Sequence, residues 1–261
     1  MERPPAATLP GWTVLSLRPH GGHAGLRAAS RRAGARFLAL SPLRIALLED
    51  ADARQALAAC LRCPIIVVTS ANAVRAATRL ARLPMRRRWI AVGAGTAAAL
   101  RRAGLGQVQW PQRADSEGLL AMPALREVAG IEIGLLTGRG GRGLLAPALA
   151  ARGARVRRAD AYLRQPMAIP GTAWQRLRLA VADGQLLLPL TSGEAWAAFQ
   201  PQLPPDLRQP LLGARVVAPG PRLAALARQA GFADVRIAAG PRPAQLLSAG
   251  ATMPSPSKGA A

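Results

Sequence analysis

Six hydroxyl-bearing residues, Ser70, Thr96, Ser116, Thr137, Thr191 and Ser192, stand where short apolar runs give way to helix-periodic segments. A side-chain oxygen at such a joint caps the following helix or hydrogen-bonds a ligand, and the two roles are compatible. The stretch LLTGRGGRGLL, Leu135 to Leu145, adds Gly138, Gly140 and Gly141. Their backbone N–H groups can receive an anion, or the glycines can serve a tight turn before a helix. Arg18, Arg139 and Arg142 carry guanidinium forks that match carboxylate or phosphate. Together these residues describe a receiver of anions built from hydroxyls, backbone amides and arginine.

Other chemistries find less support. Cys60 and Cys63 form CLRC just before the apolar run Pro64 to Val68, but the only histidines, His20 and His23, lie in a distant Gly-rich loop. A structural zinc site needs four ligands, so two ordinary thiols at a helix end are expected and no metal. Reduced thiols fit the cytoplasm. Gly93 to Gly95 and Gly138 to Gly143 match neither the dinucleotide fingerprint in full nor the lysine-containing phosphate loop, which speaks against a nucleotide-binding enzyme.

The elements that must position these residues are legible in the hydropathy. Apolar runs at Val14–Leu17, Phe37–Leu40, Ile65–Val68, Trp89–Val92, Ile131–Leu136, Leu186–Leu190, Val216–Ala218 and Val235–Ile237 alternate with helical periodicity. Strands alternating with helices predict parallel sheets. The chain of 261 residues is 50% hydrophobic with only 3% aromatics, so its cores must be small aliphatic side chains between helices and sheets, an α/β class. No apolar stretch approaches the roughly 18 residues of a membrane span, and no export signal is evident at the start. Residues 251–261 have the composition of a disordered tail.

The formal net charge is +22, almost wholly from arginine, since Lys258 is the only lysine. Arginine in place of lysine is the signature of a GC-rich genome and equally suits a polyanionic ligand. A nucleic-acid binder should interleave basic residues with stacking aromatics or gather them on one element. The arginines are instead dispersed, and the run Arg86–Arg88 is short.

An internal repeat organises the whole chain. Gly11, Arg18, Gly21, Gly22 and Gly34 align with Gly130, Thr137, Gly140, Gly141 and Gly153 at a constant offset of 119 residues, and Gly93, Gly104 and Val108 align with Gly220, Gly231 and Val235 at 127. The dipeptides Thr69-Ser70 and Thr191-Ser192 sit between these blocks at an offset of 122. Two copies of a βαβ-rich unit predict two similar doubly wound parallel-sheet domains, with ligands held beyond the carboxyl ends of the strands. A monomer would suffice.

The succession of motifs resembles the uroporphyrinogen-III synthases from about residue 11 to 249. It runs through LRP at Leu17–Pro19, TSANAV at Thr69–Val74, VGAGTAAAL at Val92–Leu100, SEGLL at Ser116–Leu120, the glycine-rich Leu135–Leu145, Arg152–Ala154, AYLR at Ala161–Arg164 and TSGEAW at Thr191–Trp196. The resemblance implies that the two domains are joined by a two-stranded β-ladder linker near Leu43–Ile45 and Tyr162–Arg164. One domain would be discontinuous, residues 1–41 plus 166–250, and the other would span 44–162. It also implies cofactor-independent closure of hydroxymethylbilane, a linear tetrapyrrole polycarboxylate, with loss of water and inversion of ring D. Tyr162, the only tyrosine, matches the family's interdomain tyrosine in a Tyr-x-Arg context and is the expected general acid, with a structural role as the alternative. The six hydroxyls, Arg18, Gly138, Arg139 and Gly140 are then the expected substrate contacts.

The chain departs from the family's pattern in its second copy. The Gly-Pro-x-Thr turn there reads Gly220-Pro221-Arg222-Leu223, which leaves Arg222 to take over as a carboxylate ligand, and Gly193-Glu194 places an acid in the second TSxxAV motif. Those changes keep alive two alternatives, a degenerate paralogue that binds tetrapyrroles without turnover and a polyanion-binding α/β protein.

Overall fold

The computed structural model describes residues 8–140 and 143–251. The chain divides into two compact units, Met1–Arg44 with Pro166–Ala261, and Ile45–Gln165. In chain order it forms β1 (Thr13–Ser16), α1 (Ala24–Arg32), β2 (Arg36–Ala39) and β3 (Leu43–Leu47), followed by α2 (Ala51–Arg62), β4 (Ile65–Val68), α3 (Ala71–Leu80), β5 (Arg88–Ala91), α4 (Ala94–Arg102) and β6 (Val108–Gln109). Then come α5 (Ser116–Leu120), β7 (Glu132–Gly138), α6 (Leu145–Ala151) and β8 (Arg155–Pro166). The last part is α7 (Gly171–Ala182), β9 (Leu186–Pro189), α8 (Gly193–Phe199), α9 (Pro205–Leu211), β10 (Arg215–Ala218), α10 (Pro221–Gln229), β11 (Val235–Ile237) and α11 (Pro243–Ala251).

The five-stranded sheet runs β11-β10-β9-β1-β2 and the six-stranded one β3-β8-β7-β4-β5-β6. Each of the pairs β1–β2, β1–β9, β9–β10, β10–β11, β7–β8, β4–β7, β4–β5 and β5–β6 is parallel. The repeat carries even the register. Thr13 faces Arg36 where Glu132 faces Arg155, and Trp89 faces Val108 where Val216 faces Val235. Yet the units do not coincide with the two copies. Unit one joins β1 and β2 of the first copy to β9, β10 and β11 of the second; unit two joins β7 and β8 of the second to β4, β5 and β6 of the first.

Each sheet is buried on both faces, because alternate residues of a strand point to opposite sides. In unit two, Ile66 and Val68 enter one core with Leu57, Trp89 and Leu136, while Ile65 and Val67 enter the other with Ile133, Leu135 and Leu149. In unit one, Leu186 and Leu188 pack with Trp174, Trp196 and Phe199, and Leu187 packs opposite with Val14, Leu26 and Leu246.

The expected apolar runs fall on β1, β2, β4, β5, β7, β9, β10 and β11, shifted at most by a residue or two at their ends. Two elements differ. β6 has only two residues, too few for a period. β8 begins at Arg155, well before the expected linker strand near Tyr162, because its first half is the charged segment Arg155–Arg158 on a largely exposed stretch. Strands β3 and β8 are neighbours, as the ladder required, but both belong to the six-stranded sheet. Of the expected tail, Ala251 closes α11, and the remainder lies outside the described residues together with Gly141 and Arg142.

Two local features hold elements in place. Gly134 in β7 lies under α2, where an added Cβ would stand 2.4 Å from the Cys60 carbonyl oxygen and 2.8 Å from its Sγ. His23, 8% exposed, ties three segments of unit one together, its Nδ1 2.9 Å from Ser16 Oγ and its Nε2 2.8 Å from Ser41 Oγ. Burial, then the neighbouring charges of Arg27, Arg18 and His20, push its pKa down to about 4.

Gly134→Ala should therefore push α2 off the sheet and cost about 1–3 kcal/mol, read as a lower urea midpoint. For His23, the folded state resists a proton that the unfolded chain accepts near the ordinary value of about 6.5. Its contribution to stability is thus complete above about 6.5 and is lost as the pH falls toward about 4. Unfolding midpoints measured across that window should drop for the wild type and less steeply for His23→Gln.

Candidate active site

In a parallel sheet, the strands deliver their carboxyl ends to one edge, and the helices that follow begin there. In unit two, β4 ends at Val68 and hands the chain to Thr69 and Ser70. Ser70 is extended, with φ −161°, and its Oγ accepts a hydrogen bond from the Ala73 N–H at 3.0 Å, so it caps α3. The adjacent strand β7 ends in Thr137 and Gly138, and Thr69 Oγ1 donates to Thr137 Oγ1 across the pair at 2.8 Å. Next to β7, β8 brings in Tyr162, which is 1% exposed. Its ring lies on Gly138, where an added Cβ would come within 2.4 Å of Tyr162 Cζ. The Tyr162 Oη is 3.0 Å from Ser70 Oγ and accepts a hydrogen bond from Arg164 Nη2, also at 3.0 Å.

The remaining expected residues of unit two lie along the same edge or follow it. Thr96 is buried, 5% exposed, in the first turn of α4 after β5, where Gly93 occupies the cap position. Ser116 opens α5, but Asp115 is the cap, its Oδ1 accepting from Gly118 N–H at 2.8 Å. Arg139 and Gly140 continue from β7 and are exposed; the Arg139 N–H donates to the Tyr162 carbonyl at 2.8 Å, and Gly140 has φ +80°. Of the six hydroxyls, then, Ser70 and Ser192 cap helices, while Thr96, Ser116, Thr137 and Thr191 do not.

Unit one repeats the layout. Ser192 Oγ caps α8 by accepting from Ala195 N–H at 3.2 Å, and Thr191, half-buried, precedes it after β9. Arg222 is exposed in the first turn of α10, with its Nη1 3.9 Å from where a Cβ on Gly193 would stand, so the guanidinium reaches over the start of α8. Arg18 follows β1. Its Nε is buried without a hydrogen-bond partner among the described residues, and burial lowers the pKa of the guanidinium. An orphaned buried donor of this kind suits an incoming carboxylate.

The cysteines stand apart from this edge. Cys60 and Cys63 are buried free thiols, and burial first, then the neighbouring Cys63, pushes Cys60 up to about 12, so it is protonated and unreactive. No cluster of metal-ligating side chains occurs among the described residues. Sequence reasoning passed over two members of the network in unit two, Thr69 and Arg164. Both left a signal: Thr69 is half of the repeated Thr-Ser pair, and Tyr162 and Arg164 are two apart on a strand, which puts them on one face.

The sequence profile of the family described as Uroporphyrinogen-III synthase HemD matches residues 24–248. A uroporphyrinogen-III synthase of Salmonella typhimurium is 36% identical over 157 residues, 59% of this chain and 63% of that protein. One of Escherichia coli is 34% identical over 152 residues, 58% and 61% of the respective chains. These alignments therefore span less than two thirds of the relatives' length. In fold, the chain is similar to a crystal structure of a mutant uroporphyrinogen III synthase from Thermus thermophilus, with TM-score 0.57 at 22% identity over 90% of this chain and 96% of that one. A Helicobacter pylori uroporphyrinogen-III synthetase gives TM-score 0.55 at 15% identity over 88% and 93%. With a profile match spanning both units and the same strand-end layout in each, this chain belongs to the uroporphyrinogen-III synthase family.

Proposed function

We propose that the protein is a uroporphyrinogen-III synthase, a cofactor-independent hydro-lyase that closes hydroxymethylbilane to uroporphyrinogen III in haem biosynthesis. The observation that carries the reading is the placement of the chain's sole tyrosine at the carboxyl edge of a parallel sheet, bonded to a serine and an arginine, in a chain of this family. The substrate is a polycarboxylate. Helix N-termini, capping hydroxyls and arginines along strand ends favour such an anion through backbone N–H groups and the helix dipole. Arg18, with its buried unpartnered Nε, and Arg222, in place of the family's threonine, are the expected carboxylate ligands, with Ser70, Thr96, Ser116, Thr137, Gly138, Arg139, Gly140, Thr191 and Ser192 as further contacts.

The reaction begins with loss of water from the hydroxymethyl carbon, giving an azafulvene cation. The substituted carbon of ring D attacks that cation to form a spiro intermediate, whose cleavage and reclosure leave ring D inverted. Each step rearranges bonds within one molecule and needs no redox partner. The enzyme's main task is to hold the bilane folded so that inverted closure outruns the spontaneous uninverted one. Positioning of that kind is worth up to about 7–11 kcal/mol, and a general acid adds about 10²- to 10⁴-fold. Tyr162 is the source of that proton, delivered directly or through a neighbouring hydroxyl. We place the protein in the cytoplasm as a monomer, in keeping with its free thiols and with a complete core in each unit; no described helix is long and apolar enough to cross a membrane.

A second reading, a polyanion binder, draws on unit two away from the hydroxyl edge. Trp110 is exposed there with the Arg101 guanidinium 4.5 Å from its ring centroid, and Arg86–Arg88 line a cavity of about 540 Å³ near the start of β5.

A coupled assay that supplies freshly generated hydroxymethylbilane and separates the type I and type III products decides between the two. Type III product above the spontaneous background is expected. Type I product alone, from folded protein, would move the function to a tetrapyrrole or polyanion binder. In the same assay Tyr162→Phe should lower kcat by about 10²-fold or more, whereas near-wild-type turnover would take Tyr162 out of the chemistry.

A further inference from the structure

Tyr162 cannot itself reach a ligand in this geometry. It is 1% exposed, its ring is covered by Gly138, and its oxygen is occupied by two partners, Arg164 and Ser70. The direction of the bond between the two hydroxyls follows from counting donors. Arg164 can only donate, so Tyr162 Oη accepts from it. If Ser70 also donated to Tyr162, the phenolic proton would be buried with no acceptor among the described residues, which leaves a buried donor unsatisfied. The favoured arrangement has Tyr162 donating to Ser70 Oγ. Ser70 Oγ already accepts from the Ala73 N–H, so its own proton is left over, and the residue is only half-buried at the strand edge.

From this arrangement, and resting on the reading of the protein as a uroporphyrinogen-III synthase, we infer that Ser70 is the group that protonates the substrate's leaving hydroxyl, with Tyr162 as the proton reservoir behind it and Arg164 as the residue that positions and charge-balances Tyr162. As the bond between the hydroxymethyl carbon and its oxygen breaks, the electron pair stays with the oxygen, which takes the Ser70 proton and departs as water. Ser70 Oγ is refilled by the Tyr162 proton, and the phenolate charge comes to rest 3.0 Å from the Arg164 guanidinium. The pyrrole carbon that loses a proton after ring closure returns one to the phenolate by the same route, so the enzyme ends as it began. Gly138 acquires a specific part in this scheme: any side chain there would displace the Tyr162 ring and break the relay.

Ser70 both caps α3 and carries the proton, and the test must separate these duties. Ser70→Asn retains a capping oxygen without a hydroxyl, Ser70→Gly removes the side chain at a position where glycine is a tolerated cap, and Ser70→Thr keeps both cap and hydroxyl. Initial rates of type III formation from freshly generated bilane would be measured for these, for Tyr162→Phe and for the double variant Ser70→Asn/Tyr162→Phe, with unfolding midpoints as the control for folding. Expected are a fall in kcat of about 10²-fold or more in Ser70→Asn and Ser70→Gly with KM little changed, at least as deep as that of Tyr162→Phe. Recovery of most of the rate is expected in Ser70→Thr, and a double variant no slower than Ser70→Asn alone, because both lesions interrupt one chain. Wild-type kcat in a folded Ser70→Asn or Ser70→Gly protein overturns the relay while the synthase reading stands. So does a double variant whose losses multiply. A wild-type protein that makes no type III product overturns both.

Discussion

Everything in this molecule depends on the requirement that parallel strands be joined by crossovers. A chain that adds strands side by side in the same direction must return over the face of the sheet each time, and in both units it does so with helices. Two consequences follow together. Both faces of each sheet are covered, so the strands can be as apolar as Ile65–Val68 or Leu186–Leu188, with alternate residues feeding separate cores. And all the strand-to-helix turns of a unit collect along one edge, where helix N-termini expose N–H groups and short hydroxyl side chains satisfy some of them. The polar edge is thus the by-product of the apolar interior.

Within that edge, a packing detail decides which side chains can act together. β7 carries Gly138 at the level where Tyr162 on β8 lays its ring, and the missing Cβ lets the phenol sit flat against the backbone with its oxygen directed at Ser70 and Arg164. The sequence leaves Gly138 as either a backbone donor to an anion or part of a tight turn, and the packing adds a third duty that no turn signal carries. Its φ is not in the left-handed region, and the space it leaves is filled by an aromatic ring. The same economy operates at Gly134, where the backbone and thiol of Cys60 take the place of a side chain.

The strands, their order of appearance and the repeat were legible because each rests on a pattern longer than one residue. The charged start of β8 and the two residues of β6 have no such pattern, and tertiary pairing with β7 and β5 alone makes them strands. Ser70, Thr137, Thr191 and Ser192 stand at strand ends, whereas Thr96 lies in the first turn of α4 and Ser116 opens α5 seven residues after β6, and their individual duties depend on one-residue offsets that hydropathy does not resolve. Asp115 and Ser116 are both good caps, and the one whose oxygen reaches the N–H two or three residues on takes the role. Arg164 was hidden in a linker motif, although its spacing of two from Tyr162 already placed it on the same face of β8.

The exchange of halves between the two copies sets an order on how the protein can be built. A ribosome emitting the chain from its N-terminus makes β1, α1 and β2 first, but their partner β9 starts only at Leu186. Meanwhile all strands of the six-stranded sheet have been made by Pro166. The unit that is second in sequence therefore closes first, and Val14 and Leu15 on β1 must wait with an open edge while a whole domain folds downstream of them. A nascent segment in that position presents the β1 edge that β9 later covers, open to wrong strand pairing, until Leu186 and the residues after it have been made.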